Sequence, residues 1–159
     1  MKDSFAKAFA IGLGVVVVAV AAIMFMQRGA HIDLPGTIMV RTVGTSDDES
    51  LAVVNLHISN PSDYTFEVHN VTMTVETDHG DVTREIVSKS DAKRLFESMP
   101  HNGPYYAPLY TNAPIAPHTS GDYTVAASFS MPERMLKDRK RFVLKLVETN
   151  GTVVEYSVK

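Results

Sequence analysis

An uninterrupted apolar stretch near the amino terminus constrains this chain more than any other feature. Residues 9–26 (FAIGLGVVVVAVAAIMFM) contain no charged or strongly polar side chain over eighteen positions. A helix of that length is about 27 Å long, close to the thickness of the hydrocarbon core of a bilayer. We therefore predict that residues 1–28 form a short tail and a transmembrane helix, followed by a linker over residues 29–36.

This helix is predicted to be retained as an anchor. Its apolar run is longer than the about 7–15 residues of a signal peptide, and it ends in bulky residues 24–26, shortly before Arg28. Cleavage near Ala30 is the weaker alternative. Lys2 and Lys7 precede the helix, so the positive-inside bias predicts a cytoplasmic amino terminus and an outer carboxy-terminal domain. We expect a single-pass protein of a bacterial inner membrane, with a periplasmic or otherwise extracytoplasmic domain.

Small residues recur at every fourth position along the start of the predicted helix. Ala6, Ala10 and Gly14 would share one face, and small residues at that spacing let another helix approach closely. Other integral membrane proteins are therefore expected partners within the lipid bilayer. The alternative is that Ala and Gly are simply common in membrane spans.

Residues 37–159 follow a period of two, which is typical of β-strands. In residues 51–59, for example, Ala52, Val54, Leu56 and Ile58 share one face. Strands are predicted over residues 37–43, 51–59, 64–68, 71–77, 82–88, 122–130, 141–149 and 152–158. An irregularity is expected near His69. We predict a mainly β domain, an antiparallel sandwich of the immunoglobulin or fibronectin III style.

Turn and cap residues separate these strands. Asn150-Gly151 predicts a type I′ hairpin turn, in which both residues have positive φ. One short helix is expected between Ser90, as its cap, and Pro100. Residues 101–119 are predicted to form a loop.

Two parts of the chain resemble known sandwich proteins. Residues 51–75, an alternating strand followed by Asn60-Pro61 and a second strand, resemble the water-stress (late-embryogenesis-abundant type 2) domain. The second half resembles a group of uncharacterised bacterial single-span proteins, through Asp91, Arg94-Leu95-Phe96, Pro100, Pro108-Leu109, Ile115, Pro117, Gly121, Ser128-Phe129 and Asp138-Arg139-Lys140. His118 stands where those proteins have Gly. The resemblance implies an amino-terminal anchor and an outer sandwich, and it brings no activity.

Composition argues against most kinds of chemistry. The chain has no Cys, which excludes disulfides, thiolate metal sites and a thiol nucleophile. After position 32 there are 12 Lys and Arg against 17 Asp and Glu, so the domain is acidic and a poor partner for nucleic acid. The six His are scattered, the acidic turns lack calcium-loop spacing and no nucleophile elbow is present. We expect no enzyme, no metal and no cofactor.

The loop over residues 101–119 is the main candidate for binding. Tyr105, Tyr106 and Tyr110 are of the type enriched at protein interfaces. Four prolines would stiffen the loop and reduce the entropy lost on binding. The alternative is that these rings cover the end of the core.

A basic run is the second candidate. Arg134, Lys137, Arg139, Lys140 and Arg141 lie close together in an acidic domain. They could face anionic headgroups or an acidic partner, or they could form a solvated connection between strands.

Two functions are compatible with these features. The first is a non-catalytic accessory or scaffold subunit of a larger bacterial membrane complex, for example a respiratory or photosynthetic one. The second is a free-standing cell-envelope module that binds a peptide, lipid or glycan. A copper or redox assembly factor is disfavoured, because such factors use Cys or clustered Met and His, and the eight Met are dispersed.

Overall fold

The computed structural model describes residues 16–18, 20, 34–99, 101 and 103–159. Contacts between Cα atoms divide the chain into two units, Met1–His31 and Ile32–Lys159. In the first unit, residues 16–18 and 20 are helical and exposed. Within the described residues, no helix is both long and apolar enough to span a bilayer. The predicted span over residues 9–26 lies largely outside them.

The second unit consists mainly of β-strands. Its described strands are β1 (Gly36–Gly44), β2 (Ser50–Asn60), β3 (Phe66–Thr77), β4 (Gly80–Glu85), β5 (Ala107–Pro108), β6 (Pro114–Ile115), β7 (Thr119–Phe129), β8 (Arg141–Glu148) and β9 (Val153–Val158). Its helices are α1 (Lys89–Ser98) and α2 (Glu133–Lys137). β5 and β6 lie inside the predicted loop and have two residues each.

Two sheets form a sandwich, which confirms the predicted mainly β sandwich. One sheet has the order β1-β2-β7-β5 and the other β4-β3-β8-β9, with β6 paired to β3. Neighbouring strands run antiparallel, except that β5 is parallel to β7. Alternate residues of the central strands meet in one apolar core, including Val54, Val125, Met73 and Leu144. The face predicted for residues 51–59 is therefore the core face.

β2 is buried on both faces, which its alternation alone did not predict. Leu51 and Val53 point away from the sandwich core and belong to a second apolar cluster with Ala92 and Phe96 of α1. The first sheet is thus covered on its outer face by a helix. Burial on both faces explains why almost every residue of β2 is shielded from solvent.

The cap of α1 is Ser88, and the prediction of Ser90 is wrong. Ser88 has an extended backbone (φ −60°, ψ 160°) and its side chain accepts from the N–H of Asp91. The Asp91 nitrogen lies 3.2 Å from the Ser88 hydroxyl oxygen. Ser90 is already in the first turn of the helix, whereas a cap residue must lie outside it.

The β8–β9 hairpin does not have the predicted type I′ turn. Gly151 has φ 89°, while Asn150 is not among the residues with positive φ. The Gly151 N–H donates to the Glu148 carbonyl (2.9 Å), and the Glu148 N–H donates to that of Thr152 (2.8 Å). These bonds define a three-residue loop, a type I turn followed by a glycine bulge, which needs positive φ at one residue.

The expected irregularity near His69 is confirmed. β3 is one strand whose register against β8 shifts between Val68 and Asn70. β4 ends at Glu85, earlier than predicted, because the chain crosses to the other sheet there. The Val87 N–H donates to the Ala126 carbonyl of β7 (2.8 Å), and α1 begins two residues later.

Candidate interaction site

Tyr105 belongs to the apolar cluster beneath α1. Its ring stacks on Phe96, with the centroids 4.5 Å apart and the planes at 12°. Its hydroxyl donates to the Met99 carbonyl (2.9 Å). Tyr105 is half-buried, so this predicted partner-binding ring also covers the outer face of the first sheet.

A row of polar side chains holds the Tyr-rich segment to that outer face. Asn55 is 8% exposed, and its amide oxygen accepts from Arg41 (3.2 Å) and from Thr124 (2.9 Å). Its amide nitrogen donates to the Pro104 carbonyl (3.0 Å), as does Arg41 (2.8 Å). The Tyr106 N–H donates to the Thr124 hydroxyl (2.8 Å). Residues 104–106 are thus bonded to three neighbouring strands.

The other two tyrosines lie in different surroundings. Tyr106 is 42% exposed, so its ring is available on the surface. Tyr110 is half-buried against the sandwich core, and the Lys89 ammonium lies 3.9 Å from the centre of its ring. Of the three predicted tyrosines, Tyr106 has the most accessible ring.

The basic run is largely neutralised by local acidic partners. Four of its members form ion pairs, Arg134–Asp138 (3.6 Å), Lys137–Glu133 (2.8 Å), Lys140–Asp78 (2.8 Å) and Arg141–Glu76 (3.5 Å). Arg139 donates to the Leu136 carbonyl (3.1 Å) and has its guanidinium carbon 5.8 Å from the centre of the Phe142 ring. The run therefore does not form one continuous free basic surface.

Several of these contacts shift the pKa of the groups involved. Lys140 lowers the pKa of Asp78 by hydrogen bonding and by its charge, and Asp78 raises the pKa of Lys140 in the same way. Lys137 lowers the pKa of Glu133, mainly through its hydrogen bond. Burial lowers the pKa of Arg139, because the charged form is disfavoured away from water.

A cleft of about 500 Å³ lies beside β1. Residues 40–43 of β1 line it together with His101, Gly103, Lys137 and Arg139. It therefore joins the Tyr-rich segment, through Gly103, to two members of the basic run. Among the described residues that line it, none is acidic.

Two of the five described histidines bond to a single acidic partner each. His57 Nδ1 lies 2.8 Å from Asp122 on the neighbouring strand, and His118 Nε2 lies 2.9 Å from Asp63. Across the described part of the chain, no three His, Cys, Asp or Glu side chains are grouped as metal ligands. His118 has φ 53°, a left-handed conformation that explains why Gly suits this position.

The helix-packing residues and the polar row differ in how far sequence and structure can be compared. The predicted helix-packing residues Ala6, Ala10 and Gly14 lie outside the described residues. Arg41, Asn55 and Thr124 were not predicted as site residues. Asn55 and Thr124 are polar residues within apolar strands. This pattern could have indicated both of them, because buried polar groups need hydrogen-bond partners.

Comparisons with known proteins bear on the fold alone. No protein-family model matches the chain, and no curated protein matches it. It is similar to the solved structure of an Archaeoglobus fulgidus protein, with 11% identity, a TM-score of 0.43, and coverage of 80% of this chain and 97% of that one. It is also similar to a candidate ApaA protein from Bordetella pertussis, at 13% identity and a TM-score of 0.40, over 80% and 89% of the chains. An uncharacterised β-sandwich protein from Clostridium difficile 630 is similar at 11% identity and a TM-score of 0.39, over 80% and 82%.

Proposed function

We propose that this protein is a non-catalytic accessory or scaffold subunit of a larger bacterial membrane complex, with its sandwich on the outer side. The observation that carries the proposal is that hydrogen bonds hold residues 104–106 to three strands while Tyr106 itself is exposed. A segment already held in one conformation loses little entropy when a partner binds. Tyrosine is among the residues enriched in protein interfaces.

The anchor belongs to the same proposal. The apolar residues 9–26 would cross the inner membrane, with Lys2 and Lys7 on the cytoplasmic side. Ala6, Ala10 and Gly14 would pack against a helix of a partner. A respiratory or photosynthetic assembly is a suitable host for such a subunit.

We further propose that the sandwich is immunoglobulin- or fibronectin III-like. In such folds, strands A, B and E share one sheet and C, F and G the other. The order β1-β2-β7 corresponds to A-B-E, and β3-β8-β9 corresponds to C-F-G, with β4 as an added strand beside C. The resemblance of residues 51–75 to the water-stress domain is compatible with this assignment. Folds of this class commonly serve as interaction modules, which favours a partner-binding role.

Purification of the native chain in a mild detergent, followed by mass spectrometry of co-purifying proteins, tests the proposed function. We expect a stoichiometric set of integral membrane proteins. Tyr106→Ala should reduce their recovery, whereas Tyr64→Ala, at a tyrosine that is 71% exposed elsewhere on the domain, should not. A lone monodisperse chain, with no co-purifying protein, would contradict the proposal.

The second candidate function is a free-standing envelope module that binds a peptide, lipid or glycan. The observation that favours it is the cleft of about 500 Å³ beside β1. This function predicts a ligand that binds the isolated full-length protein. A triple alanine variant of Tyr105, Tyr106 and Tyr110 that left such binding unchanged would count against their role in it.

A further inference from the structure

β1 is an edge strand, and half of its backbone groups face away from its neighbour. Antiparallel strands alternate between residues that exchange both backbone hydrogen bonds with the partner and residues that exchange none. The Ser59 N–H donates to the Pro35 carbonyl (3.0 Å), which continues the register in which Gly36 faces Ile58. Counting by twos from Pro35 gives residues 37, 39, 41 and 43, whose backbone groups face β2. The backbone groups of the intervening residues Val40 and Thr42 therefore point away from β2.

The end of this free edge is closed, while its middle is open. The Gly44 N–H, which also points away from β2, lies beside the Glu133 carboxylate and helps to lower its pKa. For Val40 and Thr42, by contrast, the described chain offers no partner to the outward N–H and carbonyl groups. These two residues line the cleft beside β1. Its wall therefore contains backbone donors and acceptors of the kind that pair with another strand.

The side chains around the cleft are predominantly basic. Lys137 is paired with Glu133. Arg41 and Arg139 have no carboxylate within ion-pair distance in the described part of the chain. The cleft is thus a locally positive place in a domain that is acidic overall.

Both arginines also have hydrogen-bond donors without acceptors. Nε and Nη1 of Arg41 and Nε of Arg139 are buried and have no partner among the described residues. A buried charged donor without an acceptor is costly, and carboxylates are the acceptors whose geometry suits guanidinium groups best. A carboxylate in the cleft would bring an acceptor of that kind to both arginines, which line it.

We propose that the cleft binds an extended acidic segment of a partner protein, which adds to the first sheet as a strand beside β1. Main-chain bonds to Val40 and Thr42 would align the segment. Successive side chains of a strand point to opposite faces, so two consecutive acidic residues would reach Arg41 and Arg139. This inference rests on the proposed function, because it assumes that the outer domain binds another protein.

Other occupants fit the cleft less well. A second copy pairing through β1 would bring Arg41 towards Arg41 of the other copy, and the β1 sequence GTIMVRTVG offers no carboxylate. A lipid headgroup could satisfy the arginines, but it would leave the backbone groups of Val40 and Thr42 without strand partners. An acidic strand satisfies both kinds of group.

A labelled seven-residue peptide with the sequence Thr-Val-Glu-Asp-Val-Thr-Val, added to the full chain in non-ionic detergent, tests the inference. We expect binding that weakens about tenfold in Arg41→Gln and in Arg139→Gln, because each change removes a charged hydrogen bond. Arg94→Gln, at an exposed arginine of α1 outside the cleft, is the matched control and should bind normally. Peptides with Gln-Asn in place of Glu-Asp, or with a central Pro, should bind at least tenfold more weakly.

Amide hydrogen exchange of the wild-type chain keeps the test valid if a variant misfolds. Bound peptide should slow exchange at Val40 and Thr42. Unslowed exchange at both residues, or equal binding of the acidic and amide peptides, would overturn the inference. Phosphatidylglycerol vesicles that require the same arginines, and displace the peptide without protecting Val40 and Thr42, would assign the cleft to headgroups and also overturn it.

The outcome is separable from that of the proposed function. If wild-type protein co-purifies with membrane proteins but does not bind the acidic peptide, the accessory-subunit proposal stands and this inference fails. If the peptide binds as described but no membrane proteins co-purify, the cleft assignment stands and the accessory-subunit proposal fails.

Discussion

Asn55→Ala should destabilise the domain through the polar row that holds residues 104–106. The side chain makes three hydrogen bonds, with Arg41, Thr124 and the Pro104 carbonyl. Each is worth about 1 kcal/mol net, so the free energy of unfolding should fall by about 3 kcal/mol. Part of this cost comes from Thr124, which is fully buried and loses the acceptor of its hydroxyl. For a domain of this size we expect Tm to fall by about 12 °C.

Guanidinium denaturation of the full chain in dodecyl maltoside, followed by far-UV circular dichroism, measures this loss. Asn70→Ala is a matched control, because Asn70 is a half-buried asparagine of β3, in the other sheet and outside the polar row. It should change the free energy of unfolding by less than about 1 kcal/mol. Thr124→Val should cost about 2 kcal/mol, since it removes the acceptor of the Tyr106 N–H as well.

The double variant distinguishes a connected row from independent contacts. Asn55→Ala and Thr124→Val both remove the bond between these two residues, so their combined cost should be smaller than the sum of the single costs. Additive costs, or a loss for Asn55→Ala no larger than that for Asn70→Ala, would refute the view that the row holds the loop. Faster proteolysis between residues 103 and 110 in Asn55→Ala would support it.

Three further changes test other parts of the structure. Phe96→Ala should lower the free energy of unfolding by about 3 kcal/mol and expose α1 to protease. The Phe96 ring packs against Tyr105 in the second apolar cluster, on the outer face of the first sheet. Normal protease resistance of the variant would contradict this. Lys140→Gln should lower Tm slightly and evenly across about pH 5–9. The difference in Tm between the variant and the wild type should disappear at acid pH. Because the pKa of Asp78 is lowered, that loss occurs well below 3.8, the ordinary pKa of this carboxyl. Because the pKa of Lys140 is raised, the stabilisation is lost at alkaline pH only above 10.5. Gly151→Ala should cost about 1–2 kcal/mol in denaturant titrations, since φ is 89° and nothing crowds the added methyl group.

The strands and the core face could be predicted from sequence because they depend on local periodicity. Alternating apolar residues indicated β2, β3, β7, β8 and β9 to within about three residues at each end, and each strand needs only its own side chains for that pattern. The hairpin turn was misassigned because Asn-Gly fits two turn types. The choice between them depends on how many residues separate the paired ends of β8 and β9, which is a property of the sheet register.

The apolar cluster beneath α1 and the polar row of Arg41, Asn55 and Thr124 could not be predicted, because they depend on contacts between distant parts of the chain. Arg41 and Asn55 are 14 positions apart, and Asn55 and Thr124 are 69 apart. Asn55 lies on the face opposite to the predicted core face of residues 51–59, and α1 and the following segment cover that face. Tyr105 is likewise of a residue type that is enriched at interfaces, but its stacking on Phe96 depends on where α1 packs.

The basic run and the cleft illustrate how charge density in a sequence differs from charge in a fold. Five basic residues between positions 134 and 141 indicated the most positive surface, but four of them are paired with carboxylates. Arg41, the one charged residue of β1, has no carboxylate within ion-pair distance in the described structure. Its position beside an open strand edge joins a positive side chain to unpaired backbone groups. That combination, rather than the number of basic residues, makes an acidic strand the partner that the β1 edge favours.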